Sequence, residues 1–212
     1  MKNDSPKAQR RPGRPLSFDP QAALASAMLL FWRHGYEATS LSKLTRAMGI
    51  SPPSIYAAYG DKKGLFRAVV KLYLAQPLTP VEIIGRAANS EAAARMMVEG
   101  AAIAYTGADT PPGCLLANAA IAVSAEADDI REELATIRQT IEQALSDKIE
   151  ADIKKGELPP TTDADGLAAY VITVIQGLSI IARDGATRTK LLRIAQLAMA
   201  VWPGGGMQEI KI

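Results

Sequence analysis

Few side chains in this 212-residue chain are equipped for covalent chemistry. It has one cysteine, Cys114, and one histidine, His34. Cys114 follows Pro111-Pro112-Gly113 at the expected start of a helix. That position suits a thiol-reactive or metal-sensing group, and equally an inert buried thiol. His34 stands beside Gly35 at an expected helix end and reads as structural. Asp128-Asp129 and Glu132-Glu133 fall at helical spacing and read as a solvated face. No nucleophile–base pair, paired carboxylates or glycine-rich phosphate loop stands out, so the chain is expected to be no enzyme and to need no cofactor or metal. A lone cysteine makes neither an internal disulfide nor a multi-cysteine zinc site, which fits a reducing cytoplasm.

Charge, in contrast, is unevenly placed. Residues 1–72 carry 12 Lys and Arg against 4 Asp and Glu, a surplus of +8, whereas residues 73–212 carry 12 against 18, or −6. The whole chain nets only +2. A basic third on an acidic remainder implies two modules, the first suited to a polyanion. Apolar residues make up 48% and aromatics only 5%, with Ala, Leu and Ile abundant, which favours an all-α fold. No uninterrupted apolar run approaches ~18 residues, so no membrane span and no membrane partner are expected.

The basic third has the punctuation of short helices. Residues 1–17 are polar and rich in Pro and basic groups, and are expected to form a flexible arm. Asp19 is an N-cap with Pro20 at the first helical position. Leu24, Met28, Phe31 and Trp32 then mark one face of a helix ending at His34-Gly35. Thr39 or Ser40 caps a second helix, Leu41 to Met48, with Leu41, Leu44 and Met48 inward. Gly49 turns the chain. Ser51, followed by Pro52-Pro53, opens a third helix to about Tyr59, and Asp61 caps a fourth from Lys62 to Leu74. The second and third helices have helix-turn-helix spacing. The outer face of the third carries Pro53, Ser54, Ala57 and Ala58, slim enough for a major groove about 12 Å wide. Its open N-terminal turn at Ser51 aims N–H groups at phosphates. The same spacing also occurs in plain helical hairpins.

On these residues the stretch from Phe18 to Tyr73 resembles the DNA-binding region of the tetracycline-repressor family. Gly35-Tyr36 with Thr39-Ser40, Ala47-Met48-Gly49-Ile50-Ser51, and Tyr56 with Tyr59, Lys62, Leu65 and Phe66 match its motifs in order and spacing. The resemblance implies that Ser42 meets DNA from the second helix and that Pro53 and Ser54 touch base edges. It further implies that Tyr56 and Lys62 reach phosphates. Ala58 stands where the family often has a phosphate-binding His or Arg. Tyr59 is expected mainly in the core; Lys43 and Arg46 are either phosphate contacts or solvated charges. Arg11 and Arg14, flanking Pro12-Gly13, suit a narrow minor groove or a solubilising tail. The expected DNA-binding set is therefore Arg11, Arg14, Ser42, Lys43, Ser51, Pro53, Ser54, Tyr56 and Lys62.

Beyond the fourth helix the pattern stays helical. Helices are predicted over Pro80–Ala88, Glu91–Tyr105, Cys114–Ser124, Asp128–Lys155, Ala164–Arg183 and Thr187–Val201, with a flexible tail at 204–212. The expected organisation is a helix-turn-helix domain at 18–61, a connecting helix at 62–75 and a larger effector-binding and dimerisation domain at 76–203. Leu167, Val171, Val174, Leu178 and Ile181 recur at 4-3-4-3 spacing, and Ala195, Met199 and Trp202 line the last helix. The resemblance implies that these two helices form a homodimer interface, intramolecular packing being the alternative. Met97, Ala101, Tyr105, Cys114, Asn118 and Ile121 are expected to line a pocket for an unknown small-molecule effector, or else to be core. The implied function is a ligand-responsive transcriptional regulator, by family norm a repressor, on a near-palindromic double-stranded DNA operator. An effector would act by shifting the helix Lys62–Leu74. A helical adaptor without an operator is the alternative.

Overall fold

The structure is a computed structural model and describes residues 19–75 and 77–203. Among these residues every regular element is helical: α1 (Pro20–His34), α2 (Leu41–Met48), α3 (Pro52–Tyr59), α4 (Lys62–Leu74), α5 (Pro80–Arg86), α6 (Ser90–Ala104), α7 (Leu115–Asn118), α8 (Asp128–Lys155), α9 (Ala164–Arg183) and α10 (Arg188–Met199), with a 3-10 turn at Ala125–Ala127. The arm with Arg11 and Arg14 and the tail at 204–212 lie outside the described residues.

Local chemistry sets most helix ends. Side chains of Asp19, Ser40, Asp61, Asn89, Asp163 and Thr187 each accept a hydrogen bond from a first-turn backbone N–H. Thr79 and Glu82 form a reciprocal capping box. Between α2 and α3, Gly49 takes the left-handed conformation at φ +66°, ψ +26°, and its N–H closes onto the Thr45 carbonyl.

Two cores result. The first packs Phe31, Tyr36, Leu44, Met48, Ile55, Leu65 and Phe66, with Phe66 edge-on to Phe31 at 5.0 Å and to Tyr36 at 5.2 Å. It does not stop at residue 61. Leu115, Leu116, Ile130 and Leu134 complete it, so the helix-turn-helix head is wedded through α4 to α7 and the start of α8. The second core joins α6, α8, α9 and α10 around Val98, Leu145, Ile149, Val171, Leu178, Leu191 and Trp202.

The helix expected over Cys114–Ser124 runs only from Leu115 to Asn118. Its continuation is captured from outside: the Ala119 carbonyl accepts the Tyr36 N–H at 2.6 Å, docking the end of α1 where the next turn would form. The Asn118 amide donates to the Cys114 carbonyl and to Ser179 Oγ. Ile121 is thereby left in a non-helical stretch and 67% exposed.

One element departs from the expectation drawn from apolar run length. α9 spans 20 residues with mean hydropathy 1.6 over its most apolar 18, long and apolar enough by composition to cross a membrane, although only a third of that window is buried. Its inner face belongs to the second core. Its outer strip, Tyr170, Thr173, Gly177 and Ile180, is exposed at the helical interval.

Candidate nucleic-acid interface and effector cavity

The reading surface follows from what the first core buries. Leu44 and Ile55 turn inward, so Ser42, Lys43 and Arg46 of α2 and Pro53, Tyr56, Ala57 and Ala58 of α3 are exposed on the opposite side, with Ser54 half-buried among them. Tyr56 is 53% exposed. Tyr59 is half-buried and packs on the core, the structural role expected of it. Ser51 caps nothing with its side chain; its hydroxyl instead pairs with that of Ser54 at 2.9 Å. Pro52 and Pro53 contribute no N–H to the first turn of α3, and the Ser54 N–H is taken by the Ser51 carbonyl at 3.0 Å, so the row of open donors expected there is not formed. Lys43 Nζ donates to the Ala38 carbonyl at 3.3 Å.

Lys62 is held more closely. Its ammonium lies 4.3 Å from the centre of the Tyr36 ring and donates to the Glu37 carbonyl at 3.4 Å. Partial burial pulls its pKa down, with the Glu37 charge acting against this. The cation is therefore positioned at the start of α4 before any polyanion arrives. Two other α4 cations, Lys63 and Arg67, are already engaged. Lys63 pairs with Asp129 at 2.7 Å, and Arg67 bridges Asp129 and Glu133. The acids expected as a merely solvated face thus include two that clamp α4 to α8, and only the charge complementarity of the two helices hinted at it.

A cavity of about 620 Å³ lies between the two cores. Met28 and Trp32 reach it from α1, Tyr73 and Leu74 from α4, Met97, Ala101 and Tyr105 from the α6 region, Arg138 and Ile141 from α8, and Ile172 and Gln176 from α9. Of the expected effector residues, Met97, Ala101, Tyr105 and Cys114 line it. Asn118 and Ile121 do not: Asn118 is tied into the α7–α9 hydrogen bonds, and Ile121 points away for the reason given above. Cys114 Sγ lies 3.4 Å from the Tyr73 hydroxyl. Burial, then the adjacent thiol, pushes both Tyr73 and Tyr105 upward, so both remain neutral hydroxyls at physiological pH. The sequence reading missed Trp32, Tyr73 and Arg138 as wall residues.

The wall is tied to the head by specific bonds. Trp32 stacks edge-on against Tyr73 at 5.0 Å and donates from Nε1 to the Gly113 carbonyl at 3.0 Å. Arg183, at the end of α9, donates to the Trp32 and Arg33 carbonyls at 3.1 and 3.0 Å, satisfying carbonyls that the last turn of α1 leaves open.

Known proteins agree with this architecture. Residues 23–69 match the model for bacterial regulatory proteins of the tetR family, and residues 91–197 match the tetracyclin repressor-like C-terminal domain. The HTH-type transcriptional repressor ComR of Escherichia coli (strain K12) is 37% identical over 206 residues, 96% of this chain and 98% of ComR. This chain belongs to the TetR family. It is accordingly a DNA-binding transcription regulator and not an enzyme. The HTH-type transcriptional repressor BdcR of the same organism is 31% identical over 195 residues, 91% of this chain and 93% of BdcR. A cysteine-substituted CifR, a TetR family regulator solved with a 26-bp operator duplex, is 34% identical with a TM-score of 0.84, covering 90% of this chain and all of that one.

Within this TetR chain the expected interface residues sort into two groups. Val171, Leu178, Ala195, Met199 and Trp202 are buried in the protomer's own core, and Leu167, Val174 and Ile181 are half-buried at its edge. The 4-3 spacing found an apolar face but selected the inner one. The face left open is the outer strip of α9 with Leu197 of α10 and Val201 just beyond it, and nothing within 4 Å would meet a Cβ added at Gly177.

Proposed function

We propose that this TetR protein is an effector-responsive repressor that binds a near-palindromic operator as a homodimer in the cytoplasm. Ser42, Lys43, Ser51, Pro53, Ser54, Tyr56 and Lys62 form the duplex-facing set, with Arg11 and Arg14 of the arm assigned to the minor groove. The relatives named repressors and the operator complex of CifR support the DNA half of this reading. A single α3 of eight residues reads few base pairs, and two copies about 34–36 Å apart read successive major grooves. The second copy covers the apolar strip of Tyr170, Ile180, Leu197 and Val201, with Gly177 giving close approach. Val174 and Ile181 border that contact, while the buried residues of the same helices shape it from beneath.

The observation that carries the effector half is the shared cavity. α1 and α4 supply part of its wall, so a molecule seated there touches the reading head and the dimerisation body at once. It releases DNA only to the extent that it prefers the head spacing that misfits the operator. Selection of bound duplexes from a random pool, footprinting of the selected site, and a small-molecule screen for its release test the reading. A protected near-palindrome released by a cavity ligand is the expected result. No protection of any genomic fragment at low salt overturns it in favour of an adaptor.

A further inference from the structure

The cavity's chemistry narrows what it accepts. Its wall is mostly apolar, and among the described residues no Asp or Glu lines it. One formal charge stands in it, the Arg138 guanidinium on α8. Arg138 has no carboxylate within ion-pair distance among the described residues, and its one protein hydrogen bond is from Nη1 to the Leu116 carbonyl at 2.6 Å. That bond orients the fork and leaves the remaining N–H donors unspent. Elsewhere in the fold the partly exposed arginines of α4, α6 and the start of α8 have acids beside them: Arg67 has Glu133, Arg95 has Glu91 and Arg131 has Asp128. Arg138 is half-buried with none. Burial destabilises its charged form, and the neighbouring Cys114 thiol is the only group set against this.

Two neutral hydroxyls lie beside the same sulfur. The Tyr73 hydroxyl is 3.4 Å from it, and Tyr105 lies against it from the end of α6. A half-buried fork with no counter-charge, in a cavity that two tyrosines also line, complements a planar monoanion. A dianion would leave one charge uncompensated beside apolar walls. A cavity of about 620 Å³ leaves room for a sizeable apolar body behind the charged head.

We propose that the effector is an organic monocarboxylate with an apolar body, and that Arg138 selects it by pairing with the carboxylate. The assignment rests on the effector reading above and deepens it. Because Arg138 sits on α8 and Tyr73 on α4, the carboxylate bridges the body and the connecting helix. Cys114 serves as a neighbour of this anion, not as its partner.

The test uses the full chain and two matched probe pairs, decanoate with decan-1-ol and benzoate with benzyl alcohol, titrated calorimetrically. One carboxylate should bind at least about tenfold tighter than its alcohol, the yield of a charge-assisted pair in a partly wet site. Arg138→Met, which keeps length and apolarity, should bring that pair within about twofold, chiefly by weakening the acid; Arg138→Lys should fall between. Unchanged operator affinity of the variants reports an intact fold. The wild-type comparison decides independently of how the variants fold. Equal binding of acid and alcohol in both pairs, or no binding of any probe, overturns the proposal. So does a carboxylate preference that survives Arg138→Met. Carboxylate binding through Arg138 that leaves operator affinity untouched upholds the anion site and overturns the effector reading instead. An uncharged compound that releases the operator equally from Arg138→Met does the reverse.

Discussion

Lys62 gives the sharpest test of the reading surface. Its ammonium is held by the Tyr36 face at 4.3 Å and the Glu37 carbonyl at 3.4 Å, at the N-terminus of α4. If it neutralises one phosphate, its loss removes one counterion-release contribution of about 0.9 from the slope of log K against log[salt]. The proposed homodimer carries two copies, so Lys62→Met should lower the magnitude of the slope by about 1.8. The accompanying loss of the cation–π contact should cost roughly 0.5–1 kcal/mol of stability, small enough to leave the fold intact. Fluorescence anisotropy on a labelled operator between about 50 and 200 mM salt measures the slope. Lys62→Arg restores the charge and should restore most of the slope, whereas Tyr56→Phe should weaken binding with the slope unchanged. A parental slope in Lys62→Met means that this cation supports the turn between α3 and α4 and touches no phosphate.

Three further outcomes follow from the packing. Gly113 has φ +81°, and a Cβ there would lie 2.7 Å from the Ser179 carbonyl oxygen, so Gly113→Ala should cost about 3 kcal/mol in urea unfolding; a cost under about 1 kcal/mol refutes the close approach. Ile180→Glu places an unpaired carboxylate in the contact twice per dimer and should raise the dimer dissociation constant by about 100-fold or more in sedimentation, with operator affinity falling in parallel; an unaltered dimer shows that the strip is not the contact. Asp152 is 1% exposed; burial pushes its carboxyl up, but hydrogen bonds from Ser90 and the Lys155 ammonium outweigh this and hold it below its usual value. A lowered folded pKa gives stability that is fully present above the unfolded value of about 3.9 and is lost as pH falls through the folded one, so Asp152→Asn should be less stable above that range and show a flatter acid limb in pH-dependent melting; a limb as steep as the parent's refutes the assignment.

Helix positions in the head were legible because their signals are local. Asp19, Ser40, Gly49 and Asp61 each act within three or four residues of where they stand. The same rule explains the miss after Asn118. Nothing in residues 119–124 breaks a helix; the break is imposed by Tyr36, 83 positions earlier, taking the Ala119 carbonyl. Arg138 and Arg183 were silent in the sequence for the same reason, since their carbonyl partners lie 22 and about 150 residues away. In α9, periodicity identified an apolar face at Val171 and Leu178 and missed that the opposite strip is apolar too. A helix apolar on both sides needs two covers, and sequence spacing names neither of them.

Besides the apolar core it shares with α7 and the start of α8, the head has two polar attachments that differ in strength, and that difference sets how a cavity ligand can move it. At the end of α1, the bonds from Trp32 to Gly113, from Tyr36 to Ala119 and from Arg183 to the Trp32 carbonyl are wholly or partly buried. Breaking any of them strands buried polar groups, at about 1–3 kcal/mol each. On the far side, Lys63 and Arg67 hold Asp129 and Glu133 at sites nearly half exposed, where each pair contributes about 0–1 kcal/mol. Between the two attachments stands Tyr73, in contact with the cavity and edge-on to Trp32. In the proposed mechanism a ligand pressing on Tyr73 therefore loosens the ionic clamp first and leaves the α1 anchor intact. The head then pivots about the end of α1, and Lys62, twelve residues and about 18 Å up α4 from Leu74, is carried by the rotation. The free energy available is the ligand's preference for the rotated state, typically 1–3 kcal/mol in coupled sites, which matches the clamp and falls short of the anchor. Neutralising the clamp with Arg67→Met should consequently weaken operator binding before any ligand is added and shrink the further loss that a ligand produces.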